Sequence, residues 1–325
     1  MSAQPEKTRK TGPRALSRAL LGAEAGVALA LGSVAVAAGA PPAAALAGVA
    51  ATALGARAAA LGYLAAKAAN ESRLEGVAWP RQAPLGWLGF GARGMASAIK
   101  AQWAQMPWGR AWSAREQIAL ALGTPGPLVV ICPGYACSSA PMAEWRRSLE
   151  ARGFCVCVFE CSQALGSIDG HARELSAFCE QARSELGRSP WLLGHSMGGL
   201  VCLRAALDGA GALGVAVVGS PLEGTLRASG GHGVASRQMS RGSPWLSGLK
   251  SQWTSSAPAP LLCVWSACDQ IISPNTSASG EGWGARSEAR WEGMGHLEML
   301  GPKAAAAVAG QMVLFVKASR VGQRA

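Results

Sequence analysis

Ser196 stands at the centre of the pentapeptide Gly-His-Ser-Met-Gly (194–198), between an apolar run and a segment with helical spacing. At a sharp strand-to-helix turn, a serine hydroxyl is exposed above the edge of a sheet, and flanking glycines remove side chains that would clash there. The hydroxyl is a weak nucleophile unless a base accepts its proton. Ser196 is therefore a candidate nucleophile if a histidine reaches it, although an ordinary glycine-rich turn also fits these five residues.

The chain contains four histidines, and their positions along the chain distinguish them. His195 lies inside the turn, where its ring is expected to point away from the hydroxyl. His171 opens a predicted helix at a position typical of the surface, and His232 falls in a long Gly- and Ser-rich interval. His296 follows the last strand-like segment and precedes the final helix, which is where the base belongs when the nucleophile comes first. We predict His296 as the base that deprotonates Ser196.

An acidic partner must hold the imidazole in one tautomer and stabilise its charged form. Asp269 comes shortly after the apolar run PLLCVWS, at the carboxyl end of a predicted strand, where a parallel sheet presents its functional groups. Glu281 lies in a Gly- and Ser-rich loop, and Glu298 is too close in sequence to His296 for the usual geometry. The chain order serine, acid, histidine favours Asp269 as the third member of a catalytic triad.

The negative charge that develops on an attacked carbonyl oxygen needs two backbone N–H donors, the oxyanion hole. One is predicted to be the amide of Met197, at the start of the helix after the nucleophile. The other is predicted to be the amide of Tyr135 in the loop CPGYACSS, where Gly134 allows a close approach of the backbone. A simple Pro-Gly turn explains this loop by itself, but not its position two strands before the nucleophile.

Strand-like and helix-like segments alternate around these residues. Continuous apolar runs predict buried strands, and the alternation indicates a mostly parallel sheet with helices on both faces. The predicted strands are 127–132, 154–160, 191–194, 213–219, 260–266 and 287–293, and the predicted helices are 140–152, 169–186, 197–208 and 302–316. We assign residues 127–318 to this α/β domain. Residues 221–259 are predicted to be a lid-like insertion, because this interval is longer than a crossover needs.

Composition and charge restrict the classes of partner. Of the 325 residues, 50% are hydrophobic and 15% are charged, and the formal net charge is +11. Basic residues are scattered except for one group before the first apolar segment, as on the cytoplasmic flank of a membrane span, so we expect a membrane partner and no nucleic acid. That group consists of Lys7, Arg9, Lys10, Arg14 and Arg18.

The nine cysteines form no CxxC pair and have no histidines at metal-ligand spacing, so we expect no metal site. Cys132 and Cys137 are candidates for a disulfide only if the domain is exported. Reduced, buried thiols in a domain that faces the cytoplasm are the favoured interpretation.

Residues 1–18 are polar and basic and are predicted to be a disordered tail, followed by a hydrophobic membrane segment at 19–69. Pro41-Pro42 divides this segment into two stretches of about 20 residues, each long enough for a helix to cross a bilayer. Arg57 disfavours the second span, since an arginine at mid-bilayer costs about 2.5–3.5 kcal/mol on insertion scales. We favour a helical hairpin, which returns the chain to the cytoplasmic side. A single uncleaved anchor and a cleaved signal peptide are the alternatives, and the length of the apolar run argues against cleavage.

Residues 70–126 form a predicted linker in which tryptophans alternate with basic residues. This combination suits a membrane interface, where indole rings and guanidinium groups lie at the level of the headgroups. The alternative is that the tryptophans cover the back of the following domain. The residues concerned are Trp79, Trp87, Trp103, Trp108 and Trp112, with Arg81, Arg93, Lys100, Arg110 and Arg115.

The motifs together resemble those of the α/β-hydrolase superfamily, and within it those of bacterial esterases and triacylglycerol lipases. The resemblance covers residues 127–316 and is carried by VVICPGYACSS, GSIDGH, LLGHSMGGLV, GSPLEGT, RQMSRGSPWL, WSACDQIISP and GMGHLEML. Many such lipases have a histidine where this chain has Leu222, and many relatives have a histidine before the oxyanion-loop glycine where this chain has Pro133. Neither change removes a catalytic group.

The resemblance implies hydrolysis of carboxylic esters through an acyl-enzyme on Ser196, with an ester or lipid as substrate and no cofactor. We expect location at a bacterial inner membrane with the catalytic domain facing the cytoplasm; a periplasm-facing or secreted domain is the alternative. The same triad also fits an acyltransferase, in which an alcohol or thiol replaces water. A membrane-anchored binding protein without catalysis is disfavoured, because all three triad residue types occur in the required order.

Overall fold

Residues 11–76, 79, 84–110 and 112–321 are described by the computed structural model. At its centre lies a six-stranded sheet in the order β2-β1-β3-β4-β5-β6, in which every neighbouring pair is parallel. The strands are β1 (Leu128–Cys132), β2 (Cys155–Val158), β3 (Trp191–His195), β4 (Gly214–Val218), β5 (Leu261–Ser266) and β6 (Ser287–Trp291). Each predicted strand overlaps one observed strand, and β3 extends one residue past the predicted end, to His195. The residues of β1–β5 are buried throughout, as expected for a parallel sheet covered on both faces.

Helices cover both faces of the sheet and divide the core into two layers. Val130 belongs to the layer that contains α7 (Ile168–Leu186) and α8 (Met197–Leu207), whereas its neighbour Val129 belongs to the layer that contains Trp145 and Phe315. The helices of this domain are α5 (Ala114–Ala121), α6 (Ala143–Glu150), α7 (Ile168–Leu186), α8 (Met197–Leu207), α9 (Gly233–Gln238), α10 (Pro244–Ser256) and α11 (Pro302–Val321). The predicted fold class, a mostly parallel sheet with helices on both faces, is confirmed.

Two long helices precede this domain and pack as an antiparallel hairpin. They are α1 (Pro13–Ala37) and α2 (Pro42–Leu74), and they contact each other at Gly32 and Val49 and at Glu24 and Arg57. Both are long and apolar enough to cross a membrane by length and composition. At 1.5 Å per residue they extend about 37 Å and about 50 Å, against about 30 Å for the hydrocarbon core of a bilayer. Leu29, Val34 and Leu46 are among their exposed apolar side chains.

The helix α1 begins at Pro13, so the prediction of a disordered tail through residue 18 is wrong for residues 13–18. Proline is favoured at the first position of a helix, where its missing N–H needs no partner. Arg14 is also held in place, because its Nε donates a hydrogen bond to the carbonyl of Gly109 (2.9 Å). The predicted tail residues Lys7, Arg9 and Lys10 lie outside the described residues.

The segment predicted as a linker at 70–126 is largely helical. Residues 70–74 complete α2, and α3 (Pro84–Ile99) continues through a π-helical stretch (Lys100–Gln105) into α4 (Met106–Trp108). Helix α5 belongs to the α/β domain, because Ile118 and Ala121 are buried in its core. Arg81 and the side chain of Trp87 lie outside the described residues.

Two of the linker tryptophans contact arginines of the hairpin. Arg57 lies over the ring of Trp103 at 4.5 Å, and Arg18 lies over the ring of Trp108 at 5.2 Å. These cation–π contacts tie the segment that follows the hairpin to the hairpin itself.

The base of the hairpin docks on both sides of the carboxyl edge of the sheet. Arg14, in the first turn of α1, forms an ion pair with Glu160, just after β2. Glu71, in the last turn of α2, forms an ion pair with Arg227, in the segment after β4, at 2.7 Å. Because β3 lies between β2 and β4 in the sheet, Ser196 at the end of β3 lies between the two docking points.

The insertion 221–259 contains α9 and α10 and is packed onto the domain. Three side chains of α10 belong to the core of the α/β domain, namely Leu246, Leu249 and Trp253. At its other end, the backbone of His232 exchanges two hydrogen bonds with the hydroxyl of Tyr135, in the loop after β1. The insertion therefore contacts the predicted oxyanion loop, and its motion as a lid stays a prediction.

Candidate active site

Ser196 occupies a strained turn between β3 and α8. Its backbone has φ 55° and ψ −126°, a region that non-glycine residues rarely adopt. A Cβ at Gly194 would overlap the backbone of residues 198 and 199, and a Cβ at Gly198 would lie 2.5 Å from the carbonyl oxygen of Pro133. The two glycines of the motif are thus required by the close approach of backbone on either side of Ser196.

His296 and Asp269 form a buried pair at the carboxyl edge of the sheet. The Nδ1 atom of His296 lies 2.7 Å from Oδ2 of Asp269, and the two residues are 4% and 0% exposed. The other carboxylate oxygen, Oδ1, accepts hydrogen bonds from the backbone N–H groups of Ile271 and Ile272, both at 2.8 Å. A carboxylate with these partners holds Nδ1 protonated and leaves Nε2 as the nitrogen able to accept a proton.

The loop that carries His296 is held by three side chains, and no sequence motif marks them in this role. The backbone N–H of His296 donates to Oε1 of Gln270 (3.0 Å), the residue after the acid. Ser266, at the end of β5, donates to the carbonyl of Met294 (2.6 Å). Glu298 accepts the backbone N–H of Gly295 (2.7 Å). These contacts join residues that are distant in sequence or lie in one tight turn. No sequence motif marks any of them.

The predicted nucleophile and the predicted base are connected through His195. The ring of His195, next to Ser196, lies 4.7 Å from the ring of His296, and Ser196 itself is 8% exposed. No hydrogen bond joins Ser196 Oγ to His296 within the part of the chain that the structure describes. In ligand-free enzymes such hydrogen bonds are often long and shorten when substrate binds.

His195 fills the space between His296 and the domain core. Its ring meets the indole of Trp145 edge-on, with centroids 5.8 Å apart. Burial, and then the nearby charge of His296, hold the pKa of His195 well below its usual value. His195 is therefore a neutral packing group beside the base.

The predicted oxyanion loop lies against Ser196. A Cβ at Gly134 would be 3.1 Å from the Cβ of Ser196, so only glycine lets the backbone pass this close. The amide of Tyr135 is the next in the chain, and the amide of Met197 begins α8 directly after Ser196. The phenol of Tyr135 points to His232, whose N–H and carbonyl it contacts.

The other candidates have different surroundings. His171 is 1% exposed, so the expectation of a surface position is wrong; it lies on the inner face of α7 with Ile168 and Leu175. Glu281 is exposed in the loop before β6, and Glu298 pairs with Arg93 rather than with the imidazole.

Cys132 and Cys137 are both free thiols, with no disulfide between them. Burial raises the pKa of the Cys137 thiol to about 12, which keeps it protonated. Among residues 11–76, 79, 84–110 and 112–321, no group of three or more His, Cys, Asp or Glu side chains is arranged to hold a metal ion.

Comparison with known proteins identifies the fold. Residues 127–220 match the family model described as alpha/beta hydrolase fold. The mature lipase BlEst2 of Bacillus licheniformis is a similar solved structure, with a TM-score of 0.50 and 13% identity over 58% of this chain and 92% of that chain. A monoacylglycerol lipase from Paleococcus ferrophilus has a TM-score of 0.45 and 18% identity, over 58% and 96% of the two chains. No curated protein matches. The chain is therefore an α/β-hydrolase-fold protein.

Proposed function

We propose that this protein is a serine hydrolase that cleaves carboxylic esters through an acyl-enzyme on Ser196. The observation that supports this most strongly is the 2.7 Å contact between the buried carboxylate of Asp269 and His296, beside a serine in a strained strand-to-helix turn. A histidine fixed in this way serves as a general base, and a strained turn presents a serine hydroxyl above the sheet. The order of the three residues along the chain is the one the fold requires.

In the proposed mechanism, Nε2 of His296 accepts the hydroxyl proton as Oγ of Ser196 attacks the ester carbonyl carbon. The amides of Met197 and Tyr135 donate hydrogen bonds to the resulting oxyanion. When the intermediate collapses, the C–O bond to the alcohol breaks and His296 gives its proton to the departing oxygen. Water then attacks the acyl-enzyme, with His296 again accepting a proton, and the acid leaves as Ser196 recovers its hydrogen. Asp269 stabilises the imidazolium in both halves of the cycle.

The hairpin of α1 and α2 is proposed to insert in a membrane and to place the site at its surface. Val27, Leu31 and Leu54 are exposed on these helices, in addition to the side chains named above. Exposed apolar surface of this extent is unfavourable in water and favourable in lipid. Because the base of the hairpin docks on both sides of the strand that ends at Ser196, an inserted hairpin would hold Ser196 close to the membrane surface. A lipid ester is the substrate class that this arrangement favours.

The hairpin is proposed to lie in a bacterial inner membrane with both of its ends in the cytoplasm. A reporter fused to the carboxyl terminus should then report the cytoplasm. A periplasmic signal from the same fusion would reject this orientation and favour a single anchor.

Active-site labelling tests the reaction directly. A fluorophosphonate probe should label the wild type, and the protein should hydrolyse p-nitrophenyl esters; Ser196→Ala should do neither. Ser220→Ala is the matched control, because Ser220 is buried two residues after the neighbouring strand β4 and its hydroxyl has no hydrogen-bond partner among the described residues. Labelling and hydrolysis by Ser196→Ala at wild-type rates would show that the proposal is wrong.

A graded series of acyl chain lengths, offered in solution and in vesicles, tests the substrate class. Preference for long chains in vesicles is expected. Product analysis with an added alcohol distinguishes hydrolysis from acyl transfer.

A further inference from the structure

The loop that carries His296 is supported from outside the α/β domain by a residue of the amino-terminal helices. Arg93, on α3, donates from Nε to Oε1 of Glu298 (2.7 Å) and from Nη2 to the carbonyl of Gly293 (3.2 Å). The guanidinium therefore holds both ends of the turn in which His296 lies. Its planar fork of donors suits such a paired contact, which a lysine ammonium reproduces only in part.

Glu298 connects this arginine to the base. Its second oxygen, Oε2, accepts the backbone N–H of Gly295, one residue before His296. A Cβ at Gly295 would lie 3.0 Å from Oε1 of Gln270 and 3.1 Å from Oε2 of Glu298, so the two side chains enclose the backbone at this point. Gln270 then accepts the N–H of His296 itself. The backbone at Gly295 and His296 is thus held by the side chains of Glu298 and Gln270, and Glu298 is itself held by Arg93.

The amino-terminal helices α2 and α3 also contact the loop that carries Asp269. Ala65 of α2 and Phe90 of α3 pack with Cys268, the residue before Asp269. The amino-terminal helices therefore touch the loops of both the acid and the base.

We propose that Arg93 is a positioning residue for His296, so that the helices after the hairpin complete the catalytic site of the α/β domain. This inference rests on the proposed function, because it assigns the role of base to His296. The side chain of Glu298 is 9% exposed, and its carboxylate pairs with the guanidinium of Arg93, whose side chain is 55% exposed. An ion pair with so exposed a partner contributes little to global stability. A small displacement of a catalytic group, however, lowers the rate strongly, by as much as about 100-fold for 1 Å. Loss of Arg93 should therefore affect turnover far more than folding.

The experiment compares full-length variants in detergent micelles, measuring kcat and KM for a p-nitrophenyl ester together with the melting midpoint. Arg93→Gln and Glu298→Gln should each lower kcat, by roughly 10-fold, and leave KM within about twofold of the wild type. The double variant should be no slower than the slower single variant, because both changes break one connection. Arg93→Lys should recover part of the loss, since it keeps the charge but not the fork.

Arg183→Gln is the matched control. Arg183 pairs with Glu180 within α7, and both side chains are partly exposed. The kcat of Arg183→Gln should equal that of the wild type, and the melting midpoint of Arg183→Gln should match that of Arg93→Gln.

Three results would overturn the proposal: both single variants with kcat within twofold of the wild type, losses that multiply in the double variant, or a fall in melting midpoint that parallels the fall in kcat. The proposed function fails by a different result, namely turnover or labelling that survives in Ser196→Ala.

Discussion

The carboxylate of Asp269 accepts hydrogen bonds at both of its oxygens, with His296 at one and the backbone of two consecutive residues at the other. The two backbone hydrogen bonds, from Ile271 and Ile272, fix the plane of the carboxylate before any substrate binds. The remaining oxygen is then directed at Nδ1 of His296 at 2.7 Å. The carboxylate of Asp269 therefore fixes the orientation of the His296 ring.

Asp269→Asn should lower kcat by roughly 10³–10⁴-fold with little change in folding. The amide oxygen can still accept the two backbone hydrogen bonds, so the loop is retained. The amide nitrogen, however, then faces Nδ1 and favours the tautomer that carries its proton on Nε2, which can no longer accept the serine proton. Steady-state kinetics and circular dichroism of the purified variant test this.

The rival acid provides the control for this experiment. Glu281→Gln changes an exposed carboxylate in the loop before β6 and should leave kcat unchanged. A loss in Glu281→Gln comparable to that in Asp269→Asn, or activity of Asp269→Asn within tenfold of the wild type, would contradict the assignment of the triad.

Backbone strain at Ser196 predicts a gain of stability when the nucleophile is replaced by glycine. The observed φ of 55° costs a side-chain-bearing residue about 1–3 kcal/mol, and glycine avoids most of this. Ser196→Gly should therefore raise the free energy of unfolding by about 1 kcal/mol, which corresponds to a few degrees in melting midpoint. Ser196→Ala keeps the Cβ and should show no such gain, although both variants are inactive. Equal melting midpoints for the two would refute strain at this position.

A methyl group at Gly198 should displace the oxyanion loop. The new Cβ would lie 2.2 Å from the carbonyl oxygen of Cys132 and 2.5 Å from that of Pro133, where the backbone after β1 leaves it no space. Gly198→Ala should lower the free energy of unfolding by about 1–3 kcal/mol and reduce kcat. Gly248→Ala is the control, because a Cβ on this residue of α10 meets nothing within 4 Å; it should stabilise by about 0.5–1 kcal/mol. Thermal denaturation of both variants tests this, and a Gly198→Ala protein as stable and active as the wild type would not fit the structure.

The neutral state of His195 predicts a pH dependence of stability. Burial, followed by the charge of His296, keeps the pKa of His195 well below the ordinary histidine value of about 6.5. Below about pH 6.5 the unfolded chain therefore binds a proton that the folded chain does not. The contribution of His195 to stability is complete above that pH and is lost as the pH falls.

His195→Phe should remove the contribution of His195 to the pH dependence of stability and should keep an aromatic ring against Trp145. The fall in melting midpoint between pH 8 and pH 5 should be smaller in His195→Phe than in the wild type. An identical fall in both proteins would mean that His195 titrates alike in the folded and unfolded states.

The sheet could be predicted because its strands depend on local patterns, and the order of Ser196, Asp269 and His296 along the chain is read from the sequence itself. Each strand is a run of apolar residues, and the catalytic groups follow strands in a fixed sequence. His171 shows a pattern that was available and missed: Ile168, His171 and Leu175 have the spacing of one helical face, so a histidine there is buried. The start of α1 at Pro13 likewise has a local signal, proline at a first helical position.

The support of the base could not be predicted, because it joins distant parts of the chain. In the sequence, Glu298 stands out only as a rival to Asp269, and its closeness to His296 argues against that role. That proximity is what lets its carboxylate reach the backbone of Gly295, and its partner, Arg93, is 205 residues away. Contacts of this kind depend on how the amino-terminal helices dock, and no residue pattern encodes that docking.

Arg57, which disfavoured the second membrane span, is paired within the hairpin. Its guanidinium lies 2.6 Å from the carboxylate of Glu24 on α1, and Trp103 both stacks on Arg57 and donates from its indole N–H to Glu24 (3.2 Å). Two opposite charges that neutralise each other cost far less in lipid than either charge alone. Arg57→Leu and Glu24→Leu, each alone, should therefore lower the amount of membrane-integrated protein, because each leaves one unpaired charge on the hairpin.

The double variant, in which both residues are leucine, should recover integration to the wild-type level or above, since no charge then remains at this depth. Carbonate extraction of membranes from cells expressing the four proteins, followed by quantitative immunoblotting, measures the effect. Leu46→Ala, on the exposed face of α2, is the control for a general change of hydrophobicity and should alter integration only slightly. A double variant that integrates less well than either single variant would show that the pair does not act by neutralising charge within the membrane.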